Sequence, residues 1–189
     1  MGRLDKEKLL KEVREKGVDI ANIDDLMKID KRFKDLIPII LKHLEEVDDE
    51  GDKEFLVRCL GVKGFVEVTD KLISEFYRSS NKLYKWAIGN TLYNIMDKNS
   101  LGSLLKIAQE KEHGVARQMI VLAIGKMGDE DVIPVLMDLL HDEEVVGHAL
   151  TALGKFKNTE LIPHIEPFIN HKVKWISSEA KKILKKLKN

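Results

Sequence analysis

The sequence predicts an all-α protein, a right-handed α-α superhelix (solenoid) of about five helical pairs that follow an N-terminal helical cap. Similar segments recur along the chain at intervals of roughly 30 residues, which is typical of helical repeats. Within them, apolar residues recur at three and four positions, the period of an amphipathic helix. The composition, with 34% charged residues, 6% aromatic residues and four prolines, is typical of a helical protein rather than of a sandwich, a barrel or a disordered tail.

The second helix of each pair is the clearest part of the repeat. Four segments align, KEFLVRCLGVKGF (53–65), KWAIGNTLYNIMD (85–97), RQMIVLAIGKMGD (117–129) and VGHALTALGKFKN (146–158). Their starts are 32, 32 and 29 residues apart, and a degraded fifth copy begins at Lys174. Small residues in these segments, such as Ala87 and Ala123, are expected to let neighbouring second helices approach closely.

A more polar helix precedes each of these segments, over residues 34–47, 68–79, 100–111, 131–142 and 160–171. Pro38, Pro134 and Pro163 fall in matching places in the first turn, where a missing N–H costs little. Gly128 is expected to end its helix in a left-handed conformation. We therefore predict one domain over 1–189, with a cap at 1–32 and repeats at 33–65, 66–97, 98–129, 130–158 and 159–189.

The segments GVARQMIVLAIGKMGD (114–129) and DVIPVLMDLLHDEEVVGHALTALGKF (131–156) resemble HEAT repeats, particularly the HEAT-like type first associated with phycobilisome lyases. The resemblance covers nearly the whole chain from about Lys34. It implies a curved stack whose concave surface is lined by the second helices. It also implies a choice of functions, because such repeats serve as lyase subunits, scaffolds, inhibitors and enzymes.

Charge and apolar patterning exclude several classes of protein. The 32 basic and 32 acidic residues cancel, which argues against a general nucleic-acid binder. The longest apolar stretch, at residues 36–41, is far shorter than the roughly 20 residues of a membrane span. Cys59 is the only cysteine, so no intramolecular disulfide and no cysteine-based zinc cluster can form. We expect a cytoplasmic monomer with no membrane contact.

The proposed binding surface is the concave face, and its partner is expected to be a protein or a peptide. On this surface Trp86, Asn90 and Tyr93 form an amphipathic cluster of the kind that anchors a partner. Cationic residues flank the cluster and could meet acidic groups; they are Arg58, Lys85 and Arg117. The alternative for Trp86 is that it closes the groove between two repeats.

A basic residue opens most second segments, at Lys53, Lys85, Arg117 and Lys174. Such a column could contact an acidic peptide or a phosphate backbone. Pairing with nearby carboxylates such as Asp49, Glu112 and Glu143 is the interpretation that we favour.

No motif indicates catalysis, a cofactor or a bound metal. No His is followed by Glu, as it is in di-iron enzymes built on HEAT-like repeats, and Cys59 has the setting of a buried, inert thiol. Two enzymatic or accessory alternatives remain open. One is a HEAT-like alkylpurine DNA glycosylase that places Trp86, Lys85 and Arg117 against DNA. The other is a lyase-like or assembly accessory subunit.

Overall fold

The computed structural model describes residues 2–188, and every regular element in that range is an α-helix or a 3₁₀ helix. The predicted all-α fold of helical pairs is thus confirmed. The chain forms two compact units, Met1–Asp97 (unit 1) and Lys98–Asn189 (unit 2). The predicted single domain and its repeat boundaries stay predictions.

Unit 1 contains the cap and two helical pairs. Its α-helices are α1 (Lys6–Glu15), α2 (Ile37–Glu46), α3 (Glu50–Cys59), α4 (Thr69–Arg78) and α5 (Lys82–Ile95). Its 3₁₀ helices are Ile23–Lys28, Lys31–Leu36 and Val66–Val68. The first helices of the pairs are α2 and α4, and the second helices are α3 and α5.

Unit 2 contains three further pairs. Its α-helices are α6 (Leu101–Gln109), α7 (Gln118–Met127), α8 (Ile133–Asp138), α9 (Val146–Leu153), α10 (Ile162–Ile165) and α11 (Lys174–Lys188). Its 3₁₀ helices are Lys98–Ser100, Lys111–Arg117, Glu130–Val132, Leu139–His141, Thr159–Leu161 and Glu166–Asn170. The second helices here are α7, α9 and α11.

The helix starts follow the sequence signals. Pro38, Pro134 and Pro163 each lie in the first turn of a first helix, as predicted. Asp49 caps α3, because its carboxylate accepts a hydrogen bond from the Asp52 backbone N–H at 3.0 Å. The prediction for Gly128 is wrong, because this residue is extended (φ −76°, ψ 157°) at the end of α7.

Small residues bring the second helices together, as expected. Ala87, Ala123 and Ala149 are fully buried. A side chain at Gly125 would place its Cβ only 2.7 Å from the Ala152 Cα, so α7 and α9 approach as closely as their backbones permit. The first helix of the last pair is shorter than predicted. It ends at Ile165, and Pro167, which has no N–H, lies in the 3₁₀ helix that follows.

Candidate functional site

Arg58 of α3 and Trp86 of α5 lie against each other on unit 1. The Arg58 guanidinium carbon is 5.9 Å from the centre of the indole ring, which is the geometry of a cation–π contact. Glu54, one turn earlier on α3, accepts hydrogen bonds from Arg58 Nε at 2.9 Å and Nη2 at 2.7 Å. The guanidinium is therefore held in place over the ring, and both side chains stay partly exposed.

Trp86, Asn90 and Tyr93 share one side of α5. All three are partly exposed, whereas the intervening residues from Ala87 to Gly89 are buried. We call these three residues the Trp86 stripe. The Thr91 hydroxyl donates a hydrogen bond to the Val57 carbonyl at 3.1 Å and so fixes α5 against α3. The structure thus brings Arg58 and the Trp86 stripe to one accessible surface; their role in binding stays a prediction.

Lys85 and Arg117 do not join this surface, and the contact role predicted for them is withdrawn. Lys85 is 8% exposed, and its ammonium group lies 5.0 Å from the centre of the Phe76 ring. Arg117 belongs to unit 2 and is 0% exposed. A side chain with so little accessible surface offers almost no contact area to a partner, so neither residue adds a cation to the binding surface.

Arg117 instead forms the centre of a buried polar network in unit 2. Its Nε donates to the Gly114 carbonyl at 3.0 Å, its Nη1 to the Ala108 carbonyl at 3.0 Å, and its Nη2 to the Asp142 carboxylate at 2.8 Å. A Glu144 carboxylate oxygen lies 3.5 Å from Nη2. The network joins the end of α6, the 3₁₀ helix before α7 and the turn before α9. This arrangement fits the interpretation that the basic residue pairs with carboxylates inside the protein.

The carboxylates in these contacts differ from those predicted. Lys53 lies 4.0 Å from Glu75 rather than beside Asp49, and Arg117 pairs with Asp142 and Glu144. These partners come from the helix or turn of the following pair, more than 20 residues along the chain. Short-range sequence proximity therefore points to the wrong partners although it suggests the right kind of contact.

An open cleft of about 620 Å³ lies on unit 1 between the helical pairs. Its cations already face acids within the cleft. Lys71 pairs with Glu45 at 2.6 Å, and Arg78 lies 3.5 Å from Glu75. Burial and the nearby Glu75 carboxylate both raise the pKa of Tyr84, which keeps the phenol protonated. The lining carries four acids, Glu45, Asp48, Glu50 and Glu75, against three cations, Lys53, Lys71 and Arg78, so the cleft does not favour an anion.

Trp175 belongs to the last helical pair, where the sequence favours packing of a large aromatic residue against the end of the stack. Its side chain is instead 50% exposed and rests on α9. The indole and the His148 ring meet edge to face with centroids 5.7 Å apart, and a Cβ at Gly147 would collide with the indole. The pattern could have revealed this contact, because Gly147 and Trp175 occupy equivalent repeat positions on consecutive second helices.

The side chains that could react or bind a metal ion are buried or engaged in local contacts. Cys59 is buried, and desolvation raises the pKa of its thiol to about 12. Within residues 2–188, one group could hold a metal ion, formed by Glu110, Glu112 and His113, with donor atoms within 4.8 Å of one another. Two of the three already pair, since His113 Nε2 lies 3.2 Å from a Glu110 oxygen.

The helical pairs, their close second helices and the accessible surface on unit 1 define a helical repeat protein. The family model for HEAT repeats matches residues 69–147 and 101–185, which together make up more than half of the chain. The chain belongs to the HEAT repeat family. No curated protein and no solved structure matches it significantly. No helix within residues 2–188 has the length and apolar character needed to cross a membrane.

Proposed function

We propose that the protein is a non-catalytic interaction module that binds a partner protein or peptide on the second-helix surface of unit 1. HEAT repeats generally act as scaffolds for protein interactions. The contact set consists of Arg58 with the Trp86 stripe. The glycosylase alternative is less well supported, because the cations that it requires, Lys85 and Arg117, are buried. The lyase-like or assembly-subunit alternative stays a hypothesis.

The Arg58–Trp86 pair is the observation that carries the proposal. Tryptophan and arginine dominate the binding energy of many protein interfaces, because they offer large contact areas together with polar groups. Glu54 and the helix backbone already restrain this pair, so a partner would order few additional side-chain rotamers. Asn90 and Tyr93 add hydrogen-bonding groups on the same side of α5.

The test is affinity capture from the source cell with the full chain as bait. Substituting Trp86→Ala together with Asn90→Ala should abolish capture of the specific partner, while the helical circular dichroism stays unchanged. Tyr77→Ala is the matched control, since Tyr77 is an exposed aromatic residue of the same unit on the first helix α4. Capture that is unchanged by the double substitution, or equally reduced by the control, would contradict the proposal.

A further inference from the structure

The second helices of unit 2 each leave a narrow stripe accessible. On α7 the accessible residues are Gln118, Leu122 and Lys126, whereas the remaining residues of the helix are buried. On α9 they are His148 and Thr151, with Lys155 directly after the helix. Because α7 and α9 lie side by side, these stripes form one surface.

Helix α11 continues this surface beside α9. Trp175 lies over Gly147 near the start of α9, and Lys186 Nζ donates a hydrogen bond to the Gly154 carbonyl at its end, at 2.9 Å. At 3.6 residues per turn, positions 175, 179, 182 and 186 share the side of α11 next to α9. We call the stripes of α7, α9 and α11 together the unit 2 face.

The stripe residues at one end of the unit 2 face are uncharged and partly apolar. The half-exposed indole of Trp175 is held between the backbone of Gly147 and the His148 ring, so its position is set before any partner arrives. Desolvation lowers the pKa of His148, which keeps the imidazole neutral at pH 7. A rigid aromatic group beside neutral neighbours is a suitable anchor for an apolar side chain.

The other end is positively charged. It carries Lys126, Lys155, Lys182 and Lys186 against a single acid of the three stripes, Glu179, which lies 3.4 Å from Lys182. Attraction to the negative ends of the helix dipoles explains why lysines occur there, and Lys186 makes such a contact. Lys182 is paired with Glu179, whereas Lys155 and Lys186 face no acid of the stripes, so this end of the surface keeps an excess of positive charge. The surface of unit 1 differs, because Arg58 is paired with Glu54.

We propose that the unit 2 face binds an acidic segment of a partner protein, with an apolar side chain of that segment packed on Trp175. Like the proposed function, this role is the binding of a protein partner, but it uses helices α7, α9 and α11 of unit 2. A protein segment fits better than a nucleic acid, because the exposed Glu143 and Glu144 precede α9 at the Trp175 end. These carboxylates would repel a phosphate backbone, which is charged at every nucleotide, whereas a protein segment can place its uncharged apolar residue at this end.

The experiment measures fluorescence anisotropy with the full chain and three labelled probes. The probes are a peptide of repeated Asp-Glu-Leu units, a peptide of repeated Asn-Gln-Leu units and a short DNA duplex. We expect the acidic peptide to bind more tightly than the neutral peptide or DNA, and more weakly as salt is raised. Lys155→Glu combined with Lys182→Glu should weaken its binding by about tenfold or more, and Trp175→Ala should weaken it as well.

The matched control is Lys181→Glu combined with Lys185→Glu, which changes the charge equally on the outer side of α11 and should leave binding within about twofold. Trp86→Ala should leave peptide binding unchanged, which separates this proposal from that for unit 1. Absence of binding by the acidic peptide overturns the inference, as does equal weakening by the control pair. Tighter binding of DNA would assign the face to nucleic acid instead, and loss of binding in Trp86→Ala would assign the peptide to unit 1.

Discussion

At the scale of single residues, each unit contains a buried ionic group whose partners come from other segments of the chain. In unit 2 this group is the guanidinium of Arg117, whose N–H groups meet two carbonyls and a carboxylate. In unit 1 it is the carboxylate of Asp52, which accepts hydrogen bonds from Arg3 Nε at 2.7 Å and from the Leu4 backbone N–H at 2.9 Å. Buried charges of this kind persist only where several hydrogen bonds compensate for the lost water.

Asp52 predicts how the stability of unit 1 depends on pH. Burial alone would raise the pKa of this carboxyl group, but the hydrogen bonds from Arg3 and Leu4 lower it below the usual 3.8. A lowered pKa in the folded state means that the carboxylate stabilises the fold at pH values above 3.8. This stabilisation is lost as the pH falls through the lowered pKa, because the protonated group loses its charge-assisted bonds.

The measurement compares urea unfolding of the wild type and of Asp52→Asn between neutral pH and pH 2. The substitution should lower the unfolding midpoint at neutral pH, and the difference from the wild type should shrink below pH 3.8. Asp70→Asn, at an exposed position on α4, is the control and should have little effect at any pH. A constant difference at all pH values would refute the role assigned to the Asp52 charge.

At the scale of elements, the spacing of neighbouring second helices depends on particular glycines. Gly125→Ala should destabilise the protein by about 1–3 kcal/mol, because the new methyl group would overlap the Ala152 backbone and force α7 and α9 apart. Gly102→Ala is the matched control on α6, where no atom lies within 4 Å of the added Cβ. It should stabilise the protein by about 0.5 kcal/mol, since alanine favours helices more than glycine does.

Chemical denaturation of the two variants gives both free energies. We expect the two substitutions to change the free energy of unfolding in opposite directions. Helix propensity alone cannot produce this result, because the same substitution is made in both helices. If Gly125→Ala were as stable as the wild type, α7 and α9 would not be as close as the structure has them.

The helical pairs could be predicted because their causes are local. Apolar periodicity, the prolines of the first turns and the Asp49 cap act within one or two turns of helix. The contacts of long polar side chains, in contrast, depend on residues that are far away in the sequence. Arg117 is buried because Ala108, at the end of α6, and Asp142, before α9, bring acceptors to it from two other segments. The position of the Trp175 indole likewise depends on Gly147, because a Cβ at that position would collide with the ring. The predicted surface therefore keeps the Trp86 stripe, whose binding role stays a prediction, and loses Lys85 and Arg117, which are buried.

At the scale of the whole chain, neutrality results from opposite local excesses. Residues 1–50 contain 14 acidic and 11 basic residues, whereas residues 159–189 contain 3 acidic and 7 basic ones. Each helical pair needs one apolar stripe, so its other sides are free to carry charge. A net charge of zero consequently says little about any one surface, and the two accessible surfaces differ in charge although both lie on second helices.

The division into two compact units predicts where a local defect spreads. Each unit has its own apolar core, with Phe65 and Phe76 fully buried in unit 1 and Ile124 and Leu150 in unit 2. Arg117→Met keeps much of the side-chain volume but leaves two carbonyls and Asp142 without their donors, at a cost of about 3–5 kcal/mol. Since all of these partners belong to unit 2, hydrogen exchange should accelerate in the helices of residues 98–188 and far less in residues 2–97.

Hydrogen–deuterium exchange of the full chain, followed by mass spectrometry of its peptides, measures the two regions together. Lys172→Met is the control, because it removes an ion pair with Glu143 in which both side chains are exposed. It should change hydrogen exchange only close to these two residues. Acceleration confined to unit 2 means that the chain unfolds in two steps, as expected for repeats that are stabilised chiefly by their neighbours. Equal acceleration in both regions would instead show that the repeats unfold as one cooperative block.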